Sequence, residues 1–279
     1  MNKKVLKRMV RQALREDVGS GDITTRLTVD PASRCHATLR AKSDGVLSGM
    51  APFRTVFDIL PARIKDWEGK PDGTVFRAGD VLASFTALSR ATLTGERTAL
   101  NFLQHLSGVA TYTARFVKAV EGLDVRIMDT RKTLPLFREL EKAAVLHGGG
   151  TNHRHGLYDA ILVKDNHIQA AGGIEEALSR AKRGAAPGMK VEIEVGTLEE
   201  CKRAAAAGAD MIMLDNMELD DMRQATREHR GTGVLFEASG NVTLDRVRQI
   251  AETGVDIISI GALTHSAPAA DLSLKIEEV

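Results

Sequence analysis

Thiols are scarce: Cys35 and Cys201 are the only cysteines in 279 residues, far apart and in no metal-ligand spacing. A disulfide framework and a thiolate metal centre are thereby excluded, and two reduced cysteines in a cytoplasmic protein are expected. A dominant charge is lacking as well. Lys and Arg number 38 against 37 Asp and Glu, a formal net charge of +1, so no global field attracts nucleic acid or acidic lipid, and any anion binding must be local. Long apolar runs are missing. The opening MNKKVLKRMVRQALRED is broken by charge every few residues, without the h-region of a signal peptide, and no segment reaches the length of a membrane span. Three motifs are also absent. No GxGxxG follows a first strand, no GK[ST] follows Gly148-Gly149-Gly150, and no HExxH surrounds His153 or His155, so dinucleotide, P-loop and zincin chemistries have no foothold and no protein-held metal is expected.

What is present is a change of rhythm along the chain. Val5, Leu6, Met9 and Val10 recur at helical spacing before the Gly19-Ser20-Gly21 break. From Cys35 to about Phe85, CHATLRAK, GVLSGM and DVLASF are short β-like runs separated by Ser43-Asp44-Gly45, Asp72-Gly73 and Gly79-Asp80 turns, which reads as a compact α+β region. From Thr92 the text is helical, with Leu93, Leu100, Leu103, Leu106 and Phe116 on one stripe. Beyond it six apolar runs, VRIMD, DAILVKD, KVEIEV, DMIMLD, GVLFEAS and DIISIG, alternate with helical text such as LEECKRAAAAGAD and LDRVRQIAETGVD. Such repeated βα units build either a closed parallel barrel or a doubly wound sheet, and the missing glycine fingerprint favours the barrel.

Barrel strands should end apolar unless their carboxyl ends line a site. Here Lys164-Asp165, Glu194, Asp215 and Glu237 each stand at or near the end of an apolar run. Buried ions without partners are costly, so these groups either pair with one another or face a ligand. Arg131-Lys132 after VRIMD, His153-Arg154 after the three glycines, and Lys164 supply five anion-seeking side chains at loop positions. Arginine forks suit planar carboxylates, and lysine point charges suit phosphates. Ser239-Gly240-Asn241 and Gly261-Ala262 end the last two strands, where barrels often bind phosphate through backbone N–H groups.

Taken together, EDVGSGDIT (16–24), ERTALNFLQHLSGVAT (96–111), DTRKT (129–133), GGGTNHRHGLYDAILVKDNHI (148–168), EIEV (192–195), IMLDNM (212–217), FEASGNVT (236–243) and ISIGALTHSAP (258–268) resemble the quinolinate phosphoribosyltransferase family from end to end. The resemblance implies an α/β fold: an N-terminal α/β sandwich domain, residues 1–108 with the tail 266–279 returning to it, and an incomplete parallel α/β barrel over 109–265. It implies an assembly that is at least a homodimer, with Arg97 reaching into the partner's barrel. For the substrates it implies quinolinate held by Arg97, Arg131, His153 and Arg154. Phosphoribosyl pyrophosphate would lie across Lys132, Lys164, Glu194 and Asp215, its pyrophosphate carrying Mg²⁺ and its 5′-phosphate near Ser239, Gly240, Asn241, Gly261 and Ala262. Nucleic acid and membrane are not among the expected partners. Departures from the commoner family residues occur at Leu136-Phe137 in place of Gly-Leu, Ala143 in place of Tyr, Leu146 in place of Arg, and Asn241 in place of Gly.

Overall fold

The computed structural model describes residues 1–279, which fall into two units: Met1–Tyr112 with Glu139–Gly149 and Ala267–Val279, and Thr113–Arg138 with Gly150–Ser266. In chain order the first stretch gives α1 (Lys3–Val18), α2 (Ile23–Thr28), β1 (Arg34–Ala41), β2 (Gly45–Val46), α3 (Met50–Ile59), β3 (Lys65–Gly69), β4 (Val75–Phe76), β5 (Val81–Leu88) and the long α4 (Ser89–Ala119). There follow β6 (Arg126–Met128), α5 (Arg138–His147), β7 (Ile161–Val163), α6 (Asp165–Ala171), α7 (Ile174–Gly184), β8 (Val191–Val195) and α8 (Leu198–Ala206). The chain ends with β9 (Met211–Asp215), α9 (Leu219–Glu228), β10 (Leu235–Ser239), α10 (Leu244–Ala251), β11 (Ile257–Ser259), α11 (Ala262–His265) and β12 (Leu272–Glu278).

In the first unit an antiparallel sheet runs in the order β12-β1-β5-β3. Its central strand β1 alternates, with Cys35, Ala37, Leu39 and Ala41 buried on one face, the period of a half-covered sheet. The tail returns as β12 beside β1, pairing Leu39 with Leu274. Gly108 on α4 lets it pass, because a Cβ there would collide with the Pro268 carbonyl. Phe53, Phe57 and Phe85 lie in the core and half-buried Trp67 stacks on its edge, with the Phe57–Phe85 and Trp67–Phe85 centroids 5.2 and 5.4 Å apart. Of GVLSGM only Gly45–Val46 is strand, since Met50 already begins α3. Glu139–Gly149, most of α5 with the two glycines after it, groups with the first unit.

The second unit holds one parallel sheet, β6-β11-β10-β9-β8-β7. Five strands follow one another in sequence order without the reversal of a doubly wound sheet, which settles the architecture left open by periodicity. The ring lacks one step. Strands β6 and β7 are its two edges, and beyond β6 lies only the isolated Met128–Thr151 bridge. Strand β8 is buried on both faces save Glu194, as parallel strands under helices are. The helices supply narrow apolar stripes, Ile174, Ala177 and Leu178 on α7 and Val247, Ile250 and Ala251 on α10. Each such aliphatic side chain contributes about 1.5–3 kcal/mol on burial. At the amino end of the sheet, acids tie strands together: Asp210 accepts from Val191 N (2.8 Å) and Asp256 from Phe236 N (2.7 Å). The carboxyl end carries a different set.

Candidate active site

A cavity of about 800 Å³ opens at the carboxyl ends of the parallel strands. Twelve of the thirteen site residues expected from sequence line it: Arg131, Lys132, His153, Arg154, Lys164, Glu194, Asp215, Ser239, Gly240, Asn241, Gly261 and Ala262. The exception is Arg97, exposed on α4 in the first unit.

The cationic side is built from two loops. Arg138 ties them together, donating from Nε to Thr133 Oγ1 (3.0 Å) and from Nη1 to the His155 carbonyl (3.0 Å). Asp159 holds the second loop by accepting from His155 N (2.7 Å) and Gly156 N (2.9 Å). Lys132 is placed from the short helix α11, its carbonyl accepting from Thr264 Oγ1 at 2.8 Å. Arg131 and Arg154 face each other as like charges; burial first, then Arg131, lowers the Arg154 pKa from its ordinary value. Arg131 Nε is buried and has no hydrogen-bond partner. Two adjacent guanidinium groups with unspent donors form a receptor for a planar anion.

The opposite side is acidic and already organised. Lys164 closes β7 and caps α6, its backbone N–H donating to His167 Nδ1 at 3.0 Å. Its Nζ meets Glu194 Oε2 at 2.5 Å, an ion pair with the lysine side chain 43% exposed. Asp215 at the tip of β9 accepts from Asn216 Nδ2 (3.1 Å), and Asn216 Oδ1 accepts from Asn241 Nδ2 (3.0 Å). Asn216 and Asn241 sit at φ +54° and +48°, the left-handed region that asparagine tolerates better than most residues. Gly240 between them cannot be replaced, since a Cβ would overlap the Asn216 side chain.

His265 and Glu192 carry no sequence signal singled out above, and Glu237 is marked there only as a charged strand end. His265 lines the cavity beside Gly261, with Nδ1 2.6 Å from Ser266 Oγ. Glu192 and Glu237 lie below the mouth, 5% and 0% exposed, with Oε2 atoms 3.2 and 3.5 Å from His153 Nε2. Period-two alternation in KVEIEV does put Glu192 on the same face as Glu194, a signal that could have found it. Burial pulls the His153 pKa down, but hydrogen bonds and charge from the two glutamates more than reverse this, to about 10. Burial, reinforced by the charge of Glu237, raises Glu192 to about 7 against the opposing pull of His153. His153 Nδ1 accepts from Arg154 N at 2.7 Å, so both ring nitrogens are engaged.

Comparison with known proteins agrees with this picture. Residues 22–107 match the family model for the quinolinate phosphoribosyl transferase N-terminal domain, and residues 109–275 match that for the C-terminal domain. A probable nicotinate-nucleotide pyrophosphorylase (carboxylating) of Bacillus subtilis is 41% identical over 276 residues, covering 99% of this chain and 95% of the relative. The nicotinate-nucleotide pyrophosphorylase (carboxylating) of Mycobacterium leprae is 40% identical, covering 96% and 95%. Among solved structures, the nicotinate-nucleotide pyrophosphorylase of Francisella tularensis superposes with a TM-score of 0.94 at 40% identity, covering 99% of this chain and 98% of that one.

Proposed function

The chain belongs to the quinolinate phosphoribosyltransferase family, and from that premise we propose that its barrel-end cavity transfers phosphoribose from phosphoribosyl pyrophosphate to quinolinate with decarboxylation, giving nicotinate mononucleotide, CO₂ and pyrophosphate. The observation that carries the substrate assignment is the Arg131–Arg154 pair, whose charges face the cavity and each other and whose Arg131 Nε has no acceptor. Quinolinate, with two adjacent carboxylates on a planar ring, supplies the acceptors those forks lack.

In this reading the pyridine nitrogen attacks the anomeric carbon as pyrophosphate departs, and positive charge develops on the ribose while negative charge leaves with the pyrophosphate. The Lys164–Glu194 pair presents opposite charges side by side, the acid with Asp215 toward the ribose and the amine with Lys132 toward the leaving group. Because these groups are in place beforehand, they act through position and electrostatics, and no covalent enzyme intermediate is required. Backbone and side-chain groups of Ser239, Gly240, Asn241, Gly261 and Ala262 receive the 5′-phosphate. The new pyridinium then accepts the electron pair of the C2–carboxylate bond as CO₂ leaves, and C2 takes up a proton.

Mg²⁺ suits this site as a passenger on the pyrophosphate. A hard cation needs oxygen donors, and Asp215, whose carboxylate has no cationic partner, is the protein oxygen donor that would face it. When bound it neutralises pyrophosphate charge. A Schiff-base role for Lys164 fits poorly, since that chemistry wants a desolvated amine and Lys164 is ion-paired and partly exposed.

The active assembly in this proposal is a homodimer or larger, with Arg97 completing the quinolinate site of a second copy, and it works in the cytoplasm. Both thiols are buried and free, and burial pushes the Cys201 thiol up to about 11, in keeping with a reducing compartment. No helix is long and apolar enough to cross a membrane. The deciding experiment incubates the protein with quinolinate, phosphoribosyl pyrophosphate and Mg²⁺ and looks for nicotinate mononucleotide, CO₂ and pyrophosphate, with nicotinate as the control acceptor. Turnover of nicotinate instead would overturn the assignment. Mixing inactive Arg97→Ala with inactive Lys164→Ala should restore about a quarter of the activity if sites are shared between copies, and none if they are not.

A further inference from the structure

Under the cationic side of the cavity lie two acids for which the transfer described above has no use. Alternate strand residues share a face, so Glu192 lies one layer below Glu194 on β8, and Glu237 one layer below Ser239 on β10. Both converge on His153 Nε2, at 3.2 and 3.5 Å. Neither oxygen of Glu237 makes a hydrogen bond, and Glu192 Oε1 makes none, although all three atoms are buried. His153 Nδ1 is committed to the Arg154 N–H, which requires its lone pair. The ring therefore has one proton, on Nε2, for two carboxylates. If both acids were ionised, two like charges would be buried against a neutral ring, an arrangement that buried carboxylate pairs avoid by retaining a proton.

We propose that His153, Glu192 and Glu237 form one proton-sharing unit beneath the pocket floor. The two glutamates are positioning residues: they hold the imidazole with its Nε2–H turned toward them and keep one further proton between their carboxyls. The floor then carries a single negative charge, not two, when a dicarboxylate enters above it. This deepens the quinolinate reading and rests on it. It also revises the part of His153, which acts as the hinge of the floor and not as a free N–H donor to substrate.

The raised value of Glu192 points the same way, since it means that the unit retains a proton that a separate carboxyl would release at neutral pH. Arg154 is the cation acting on Glu192, and Arg131 faces Arg154. Asp129 accepts the His153 backbone N–H through Oδ1 at 2.9 Å. The Lys164–Glu194 pair and Asp215 line the same cavity nearer its mouth. None of these donates a hydrogen bond to the bare Glu237 oxygens.

Two measurements on the intact protein test the idea. Nitrogen-15 NMR of His153 without ligand should show Nδ1 unprotonated and Nε2 protonated from pH 6 to 8. Calorimetric binding of quinolinate should weaken by up to about tenfold per pH unit above the loss of the shared proton near pH 7. Glu237→Gln, close in shape, should abolish that pH limb while leaving the KM for phosphoribosyl pyrophosphate unchanged, and Glu192→Gln is the second route to the same result. A merely structural role would weaken binding at every pH and keep the limb. The proposal is overturned if His153 is protonated on Nδ1, if the limb survives in both variants, or if Zn²⁺ or Mg²⁺ alone shifts the His153 resonances, which would make the trio a cation site. A protein that shows the expected His153 state but neither binds nor turns over quinolinate would sink the functional reading and leave the proton-sharing unit standing.

Discussion

The first unit is held by aromatic rings and the second by aliphatic stripes around a charged interior. Phe53, Phe57, Trp67, Phe76 and Phe85 gather in the first, where a half-covered antiparallel sheet has a single face to fill and large flat side chains fill it. In the second, Ile193, Ile212, Leu214, Ile257 and Ile258 occupy strands buried on both faces, while Glu192, Glu194 and Glu237 point inward among them. The inward acids are desolvated there, a cost offset by His153 beside Glu192 and Glu237, by Arg154 acting on Glu192 and by Lys164 paired with Glu194. One unit devotes its interior to stability, the other to charge.

The largest expected effects should separate those two economies. Arg131→Ala and Lys164→Ala should each lower kcat/KM by about 10³-fold or more, with stability changed by no more than about 2 kcal/mol, the larger part for Lys164, which leaves Glu194 unpaired. Phe57→Ala should do the reverse, costing about 3–5 kcal/mol of stability with little loss of activity per folded molecule; equal damage to both quantities in either set would break the comparison.

A pH titration of stability comes next. Glu192 is raised to about 7, above its unfolded value, so between roughly pH 4.5 and 7 the folded chain binds more protons than the unfolded one. Stability from this group is therefore fully present in acid and lost as pH rises through 7. Denaturant melts from pH 5 to 9 should show the fall, and Glu237→Gln should flatten it.

Smaller effects belong to the two departures that replace glycine. Leu136 has φ +69° and Asn241 φ +48°, which is why glycine suits both places. Asn241→Gly keeps that turn but removes the 3.0 Å bond to Asn216, and should raise the KM for phosphoribosyl pyrophosphate severalfold, by about 1 kcal/mol. Leu136→Gly should relieve strain on an exposed side chain and leave stability within about 1 kcal/mol, on the favourable side, by melting temperature.

How much of this was legible depended on whether the signal was local. Asp215 could be found because it ends an apolar run, and Arg131-Lys132 because they follow one. The ladder of six βα repeats was visible in the same way. Glu192 and Glu237 meet His153 only through the lateral register β8-β9-β10, in which Met213 stands between Glu194 and Glu237. No spacing along the chain encodes that meeting. The grouping of Glu139–Gly149 with the first unit is likewise a tertiary preference, since its helical text reads like any other helix of the barrel.

The gap between β6 and β7 has a consequence for how such a protein can change. Residues 129–138 and 150–160 border it, with one isolated bridge to the sheet, and they carry Arg131, Lys132, His153 and Arg154. Insertions or exchanges in that seam disturb no continuous ladder, so under the proposed function acceptor preference can drift there while the rest of the ring, assigned there to the sugar phosphate, stays as it is.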